Sequence, residues 1–66
     1  MKLKDAYIGQ KVEAGRPYTE DYDEGEILAL FADGEAWVGW QSGVKTRADV
    51  RSLRAGWSGR FMDRDE

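Results

Sequence analysis

The sequence predicts an all-β fold, a small barrel of about five short strands with one helical turn near residues 49–53. Short segments that alternate apolar and polar residues are separated by turn signals recurring about every 8 to 12 residues. Residues 27–31 are apolar throughout and could also be helical, but the turns on both sides would leave only a very short helix. We therefore expect strands along most of the chain.

The first strand is predicted at residues 8–14, where apolar and polar residues alternate. Residues 1–7 precede it and are expected either to pack against the barrel or to fray. A glycine and a proline within residues 15–17 end the strand. An acidic and aromatic loop, residues 18–24, follows.

The second and third strands are predicted at residues 25–31 and 35–41. Between them, Asp33-Gly34 is a strong hairpin signal, because the favoured two-residue turn needs a positive φ at both central residues. These two strands and their turn are expected to form the middle of the barrel.

Tryptophans flank Val38-Gly39 in the third strand. Because side chains alternate between the two faces of a strand, Val38 should face the core and Trp40 should lie on the same face, at the barrel rim. Trp37 and Gly39 should share the outer face, where Gly39 leaves room for a neighbouring aromatic ring and an aromatic of the tail covers Trp37. The alternative is that all three tryptophans of the chain simply fill a small core.

A turn at residues 42–43 leads to a fourth strand at residues 44–48. Asp49 is then predicted to cap the helical turn 49–53. The tail that follows either adds a last strand or docks across an open edge.

Composition narrows the class of protein. The chain has 66 residues, no cysteine and no histidine, so we expect one domain over residues 1–66, with a core at about 8–58 and loose residues 62–66. Disulfides and thiolate metal sites are impossible, and the usual general base is missing. We expect no cofactor. Without a signal peptide or a long apolar run, the expected location is the cytoplasm, with no membrane contact.

The charge is segregated along the chain. Seven acids and no base lie between residues 18 and 36, whereas five bases and one acid lie between residues 37 and 60. This pattern predicts one acidic and one basic surface, although solvated faces that pair with each other explain it equally well.

The turns and apolar positions of residues 9–54 resemble an SH3-like barrel of the Tudor type, as found in small bacterial or phage-like domains. The resemblance is carried by Gly9, Val12, Gly25, Ile27, Asp33, Gly34, Val38, Trp40, Gly43, Val50, Leu53 and Arg54. It implies the barrel fold and a binding role at the barrel mouth, where such domains hold methylated lysine or arginine between aromatic rings.

Carried onto this chain, the resemblance implies a ligand-binding mouth made of Tyr18, Tyr22 and Trp40. The acids of the first loop would attract a cation; they are Glu20, Asp21, Asp23 and Glu24. The turn before the fourth strand departs from the family, because it is shorter and has a serine where the family has an aromatic. A methylated side chain and a basic or proline-rich peptide therefore both stay open, and a protein or peptide partner is expected.

Nucleic acid is the alternative partner. Lys45, Arg47, Arg51 and Arg54 fall on the fourth strand and the following turn, where they would form one basic stripe. The isoelectric point of about 4.9 opposes this interpretation.

Two further possibilities follow from composition. The acidic loop is typical of phage or mobile-element proteins that inhibit nucleic-acid-binding host enzymes. An exposed edge strand and surplus tryptophans make self-association possible. An enzyme is not expected. The one enzymatic SH3-like barrel, a plasmid-borne dihydrofolate reductase, has pore residues that residues 44–47 do not match.

Overall fold

The computed structural model describes residues 1–61, and these form an antiparallel all-β structure. This confirms the predicted class. The strands are β1 (Lys11–Ala14), β2 (Asp23–Leu30), β3 (Glu35–Trp40), β4 (Lys45–Asp49) and β5 (Arg54–Ala55), and two 3₁₀ turns occupy Leu3–Asp5 and Val50–Ser52. The residues expected to be loose, 62–66, lie outside the described part.

The strands form one sheet in the order β4-β3-β2-β1-β5. β1 pairs with both β2 and β5, so the last strand returns to the first. The first strand starts later than predicted, at Lys11. The reason is Gly9, whose φ of 92° interrupts the extended backbone, although its amide still donates to Ile27 at 2.8 Å.

Both central hairpins use the same three-residue turn, which corrects the predicted two-residue turn at Asp33-Gly34. The amide of Phe31 donates to the carbonyl of Glu35 at 2.8 Å, and Gly34 has a φ of 94°. Tyr18 is the one non-glycine residue among 1–61 with a positive φ, so Asp33 does not have one. A type I turn followed by a left-handed glycine is the usual three-residue hairpin loop, and residues 41–43 repeat it, with a φ of 98° at Gly43.

The core is aliphatic. Its fully buried members are Val12, Ile27, Ala36, Val38, Val50 and Leu53, and Trp40 packs against them. Trp40 lies over Gly25, because a Cβ atom added to Gly25 would be 2.9 Å from Cε3 of Trp40.

The residue that lies over Gly39 is Leu28, not the aromatic expected. A Cβ at Gly39 would be 3.1 Å from Leu28 Cδ1. Leu28 is the extra residue of a β-bulge, because Ile27 pairs with Val38 and the next pair is Ala29 with Trp37. The bulge turns an apolar side chain of β2 onto the outer face of β3.

The amino terminus packs against the core. Met1 contacts the core and its amino group donates to the Leu53 carbonyl at 3.0 Å, so the first residues pack rather than fray.

Asp49 caps the second 3₁₀ turn, as predicted, by accepting from the Arg51 amide at 2.9 Å. Within residues 1–61, no helix is long and apolar enough to cross a bilayer.

Candidate functional site

The first loop, residues 15–22, is held in shape by its own backbone and one threonine. Thr19 Oγ1 donates to the Arg16 carbonyl at 2.8 Å and accepts from the Asp21 amide at 3.2 Å. Gly15 enters the loop with a φ of 87°, which an L-residue with a side chain adopts only with strain. The loop therefore presents a fixed surface beside the turn between β3 and β4.

A cavity of about 330 Å³, here called the loop–turn pocket, lies between this loop and that turn. It is lined by Glu20, Tyr22, Asp23, Gln41, Ser42 and Phe61. Two hydrogen bonds fix its walls: Ser42 Oγ donates to Asp23 Oδ2 at 2.7 Å, and the Gln41 amide donates to the Glu24 carbonyl at 2.8 Å. The pocket joins two carboxylates to an aromatic wall.

The predicted aromatic trio is only partly brought together here. Tyr22 and Asp23 line the pocket, while Trp40 turns inward and donates from Nε1 to Thr46 Oγ1 at 2.8 Å. Tyr18 and Asp21 are exposed and lie outside the pocket lining.

Gln41 and Phe61 are pocket residues that the sequence analysis missed. Phe61 meets Tyr22 edge to face, with ring centroids 5.0 Å apart. The signal that could have identified Phe61 was the predicted docking of the aromatic tail.

Tyr22 is also the centre of a buried polar cluster. Its hydroxyl lies 2.5 Å from Glu13 Oε1 and 2.6 Å from Glu24 Oε2, and all three residues are about 95% buried. Glu13 and Glu24 are directly opposite each other on β1 and β2. Like charges at such a position repel. Arg54 Nε, 3.5 Å from Glu13 Oε2, offsets part of this repulsion, and the phenol donates its one proton to one carboxylate at a time. The hydroxyl is therefore fully engaged inside the protein.

The cluster is covered by residues 56–61, here called the C-terminal strap. Ser58 Oγ donates to Glu13 Oε1 at 2.5 Å, and the Gly59 amide donates to Glu24 Oε2 at 2.7 Å. Trp57 Nε1 donates to a β2 carbonyl at 2.9 Å. Of the two alternatives for the tail, the added strand is confirmed as β5, whereas residues 56–61 cross β1 and β2 rather than an open edge of the sheet.

These contacts shift two pKa values in opposite directions. The hydrogen bond from Ser58, followed by that from Tyr22, lowers the pKa of Glu13. Burial, followed by the Glu13 and Glu24 carboxylates, raises the pKa of Tyr22, so the phenol keeps its proton and remains a donor.

Acid should therefore destabilise the protein through Glu13. A carboxylate with a lower pKa in the folded state adds stability that is complete above its unfolded pKa, about 4.3, and is lost as the pH falls through the folded value. We expect the free energy of unfolding to drop below about pH 4.3, and to drop less steeply in Glu13→Gln. Urea unfolding at several pH values measures both slopes; parallel curves would exclude Glu13 as the source.

The predicted basic stripe is largely neutralised by neighbouring acids. Arg47 Nε is 2.7 Å from Glu35 Oε1, and its Nη2 is 3.2 Å from Asp33 Oδ2. Its guanidinium lies 3.9 Å above the Phe31 ring. Arg47 is thus held against its own hairpin.

The other stripe arginines are engaged as well. Arg51 Nη2 is 3.0 Å from Asp49 Oδ2, and the hydrogen bonds from Arg51 lower the pKa of Asp49. Arg54 Nε is 3.5 Å from Glu13 Oε2. Lys45 makes no ion pair within residues 1–61.

Potential metal ligands do not gather in groups of three or more among the described residues. No protein-family model, curated protein or solved structure matches this chain. The interpretation of the candidate site therefore rests on its geometry alone.

Proposed function

We propose that this protein is a non-catalytic binding module that takes a basic side chain of a protein or peptide partner into the loop–turn pocket. The observation that supports this most directly is the pocket itself, in which Glu20 and Asp23 stand beside the aromatic corner of Tyr22 and Phe61. The sheet order, the 3₁₀ turn before β5 and the return of β5 to β1 support an SH3-like barrel of the Tudor type as the scaffold.

The chemistry of the pocket suits a cation with free N–H groups. Carboxylates accept charge-assisted hydrogen bonds from an ammonium or guanidinium group, and an aromatic ring adds cation–π attraction. Trp40 turns inward and Tyr18 lies outside the pocket, so two rings form a corner rather than a cage. An unmethylated lysine or arginine, which keeps all its donors, is therefore the preferred ligand in this proposal.

The test is a titration of ¹⁵N-labelled protein with a short lysine- and arginine-containing peptide. Amides of residues 19–24 and 41–42 should shift together. Phe61→Ala removes one wall and should weaken binding about tenfold or more, while the charge reversal Glu20→Lys should weaken it about fivefold, the equivalent of about 1 kcal/mol.

Asp5→Lys is the matched control for Glu20→Lys, because it makes the same charge change on the first 3₁₀ turn, away from the pocket. It should leave binding within about twofold. Equal peptide affinities of the Phe61→Ala, Glu20→Lys and Asp5→Lys proteins would refute the proposal that the peptide binds in the loop–turn pocket. A methylated peptide and a short DNA serve as parallel titrants; shifts confined to residues 45–54 with DNA would favour the nucleic-acid alternative.

A further inference from the structure

β4 is an edge strand of the sheet. It pairs with β3 alone among the described residues, and residues 45–47 are exposed. The outer edge of such a strand carries backbone donors and acceptors that can pair with another strand.

The bonds at the two ends of β4 show which residues face outward. The Val44 carbonyl accepts from Trp40 at 2.8 Å, and the Val50 amide donates to Gly34 at 3.0 Å. Bonding positions alternate along an antiparallel pair, so even-numbered residues bond toward β3. The residues whose N–H and C=O point away from the sheet are Lys45, Arg47 and Asp49.

We propose that this outer edge pairs antiparallel with β4 of a second copy, around a two-fold axis at Arg47. Each copy contributes three outward N–H groups, so the ladder holds six N–H···O bonds. In this register Lys45 lies directly opposite Asp49 of the second copy, and the two-fold axis repeats that pair. The Asp49 carbonyl, which accepts from Ser52 Oγ at 2.7 Å, keeps a second lone pair for the ladder.

Charge favours this register over its two neighbours. A shift in one direction places Lys45 opposite Arg47 of the second copy. A shift in the other places Lys45 opposite Arg51 and Arg47 opposite Asp49, so its like-charge pairs cancel its opposite-charge pairs. In the proposed register Arg47 opposes Arg47 of the second copy, but Glu35 and Asp33 already neutralise each guanidinium. Asp49 is contacted by Arg51 of its own copy, so its attraction to Lys45 is weakened but keeps its sign. The charges along the outer edge of β4 are therefore complementary to those of the same edge in a second copy.

The contact is independent of the proposed peptide site. None of the residues lining the loop–turn pocket lies in β4. A ladder of five residues per copy is small for a protein interface, so we expect weak, concentration-dependent association.

Sedimentation equilibrium together with amide hydrogen exchange tests the proposal, from about 10 µM to about 1 mM protein. We expect the mass to rise from 7.5 kDa toward twice that value. The amides of Lys45, Arg47 and Asp49 should gain protection as concentration rises, whereas those of Thr46 and Ala48 should be protected throughout. A 7.5 kDa mass at the highest concentration, with the three outward amides still exchanging freely, would overturn it.

Lys45→Glu turns both cross-copy attractions into repulsions and should raise the dissociation constant at least about tenfold. Lys11→Glu makes the same charge change on β1, which β2 and β3 separate from β4, and should leave the dissociation constant unchanged. An unaltered Trp40 indole resonance, which reports the bond to Thr46, shows that the Lys45→Glu protein is folded. A dimer that persists equally in both variants would place the contact elsewhere and refute the β4 edge.

Discussion

Gly15→Ala is expected to lower the free energy of unfolding by at least about 3 kcal/mol, a large part of the stability of so small a domain. Gly15 has a φ of 87°, and a Cβ there would be 2.5 Å from the carbonyl carbon of Asp21 and 2.9 Å from Tyr22 Cα. These are backbone atoms, which cannot swing aside as the end of a side chain can. Urea unfolding followed by tryptophan fluorescence measures the loss.

Gly9→Ala is the matched control. Gly9 has nearly the same φ, 92°, but nothing lies within 4 Å of the Cβ position. Only the left-handed backbone then costs energy, about 1 to 2 kcal/mol. Equal losses at the two positions would show that the first loop moves freely away from Gly15. If the loop is as rigid as its contacts indicate, Gly15→Ala should also abolish peptide binding, because the pocket begins at Glu20.

Tyr22→Phe should cost about 2 to 3 kcal/mol in unfolding free energy. The ring stays and can still pack against Phe61, but Glu13 and Glu24 lose the donor between them and remain buried on opposing strands. Equilibrium urea unfolding near neutral pH measures this loss of unfolding free energy. Hydrogen exchange adds a local measure, since the Gly59 amide donates to the same Glu24 oxygen and should exchange faster.

Tyr7→Phe provides the comparison, because it deletes the same hydroxyl from a side chain that is 61% exposed. Its effect should stay within about 0.5 kcal/mol. A Tyr22→Phe protein as stable as the Tyr7→Phe protein would mean that the carboxylates find other donors, and that the phenol does not hold the cluster together.

The strands and turns were predictable because their signals are local. Alternation indicated β1, turn residues bounded β2 to β4, and the glycines at positions 34 and 43 marked both hairpin turns. The bulge at Leu28 was not predictable, because an apolar run has no period that shows where one residue is added.

The buried polar cluster around Tyr22 could not be predicted from the sequence for a different reason. Glu13 follows core residue Val12 in β1, at a position where a polar side chain normally meets water, and Glu24 was predicted in the acidic loop rather than in β2. Ser58 changes this, and it lies 45 positions beyond Glu13 in the chain. Local pattern carries no information about such a contact.

The location of the candidate site could be predicted from the sequence, but the side chains that line it could not. The acidic loop does border a pocket, yet Trp40, whose ring packs over Gly25 against the core, is not among the residues that line it. Phe61 takes a place in the pocket wall instead. Side-chain direction at the end of a strand depends on the opposing residue, which a single sequence does not identify.

The polar cluster also constrains how this sequence can change over generations. Tyr22, Glu13, Glu24 and Ser58 are joined by hydrogen bonds, so losing any one removes a hydrogen bond from at least one buried neighbour. Their substitution effects should not add, because each depends on whether the others are present. A descendant that replaces this cluster with an apolar one must exchange its members together, whereas exposed neighbours such as Tyr18 and Asp21 can change one at a time.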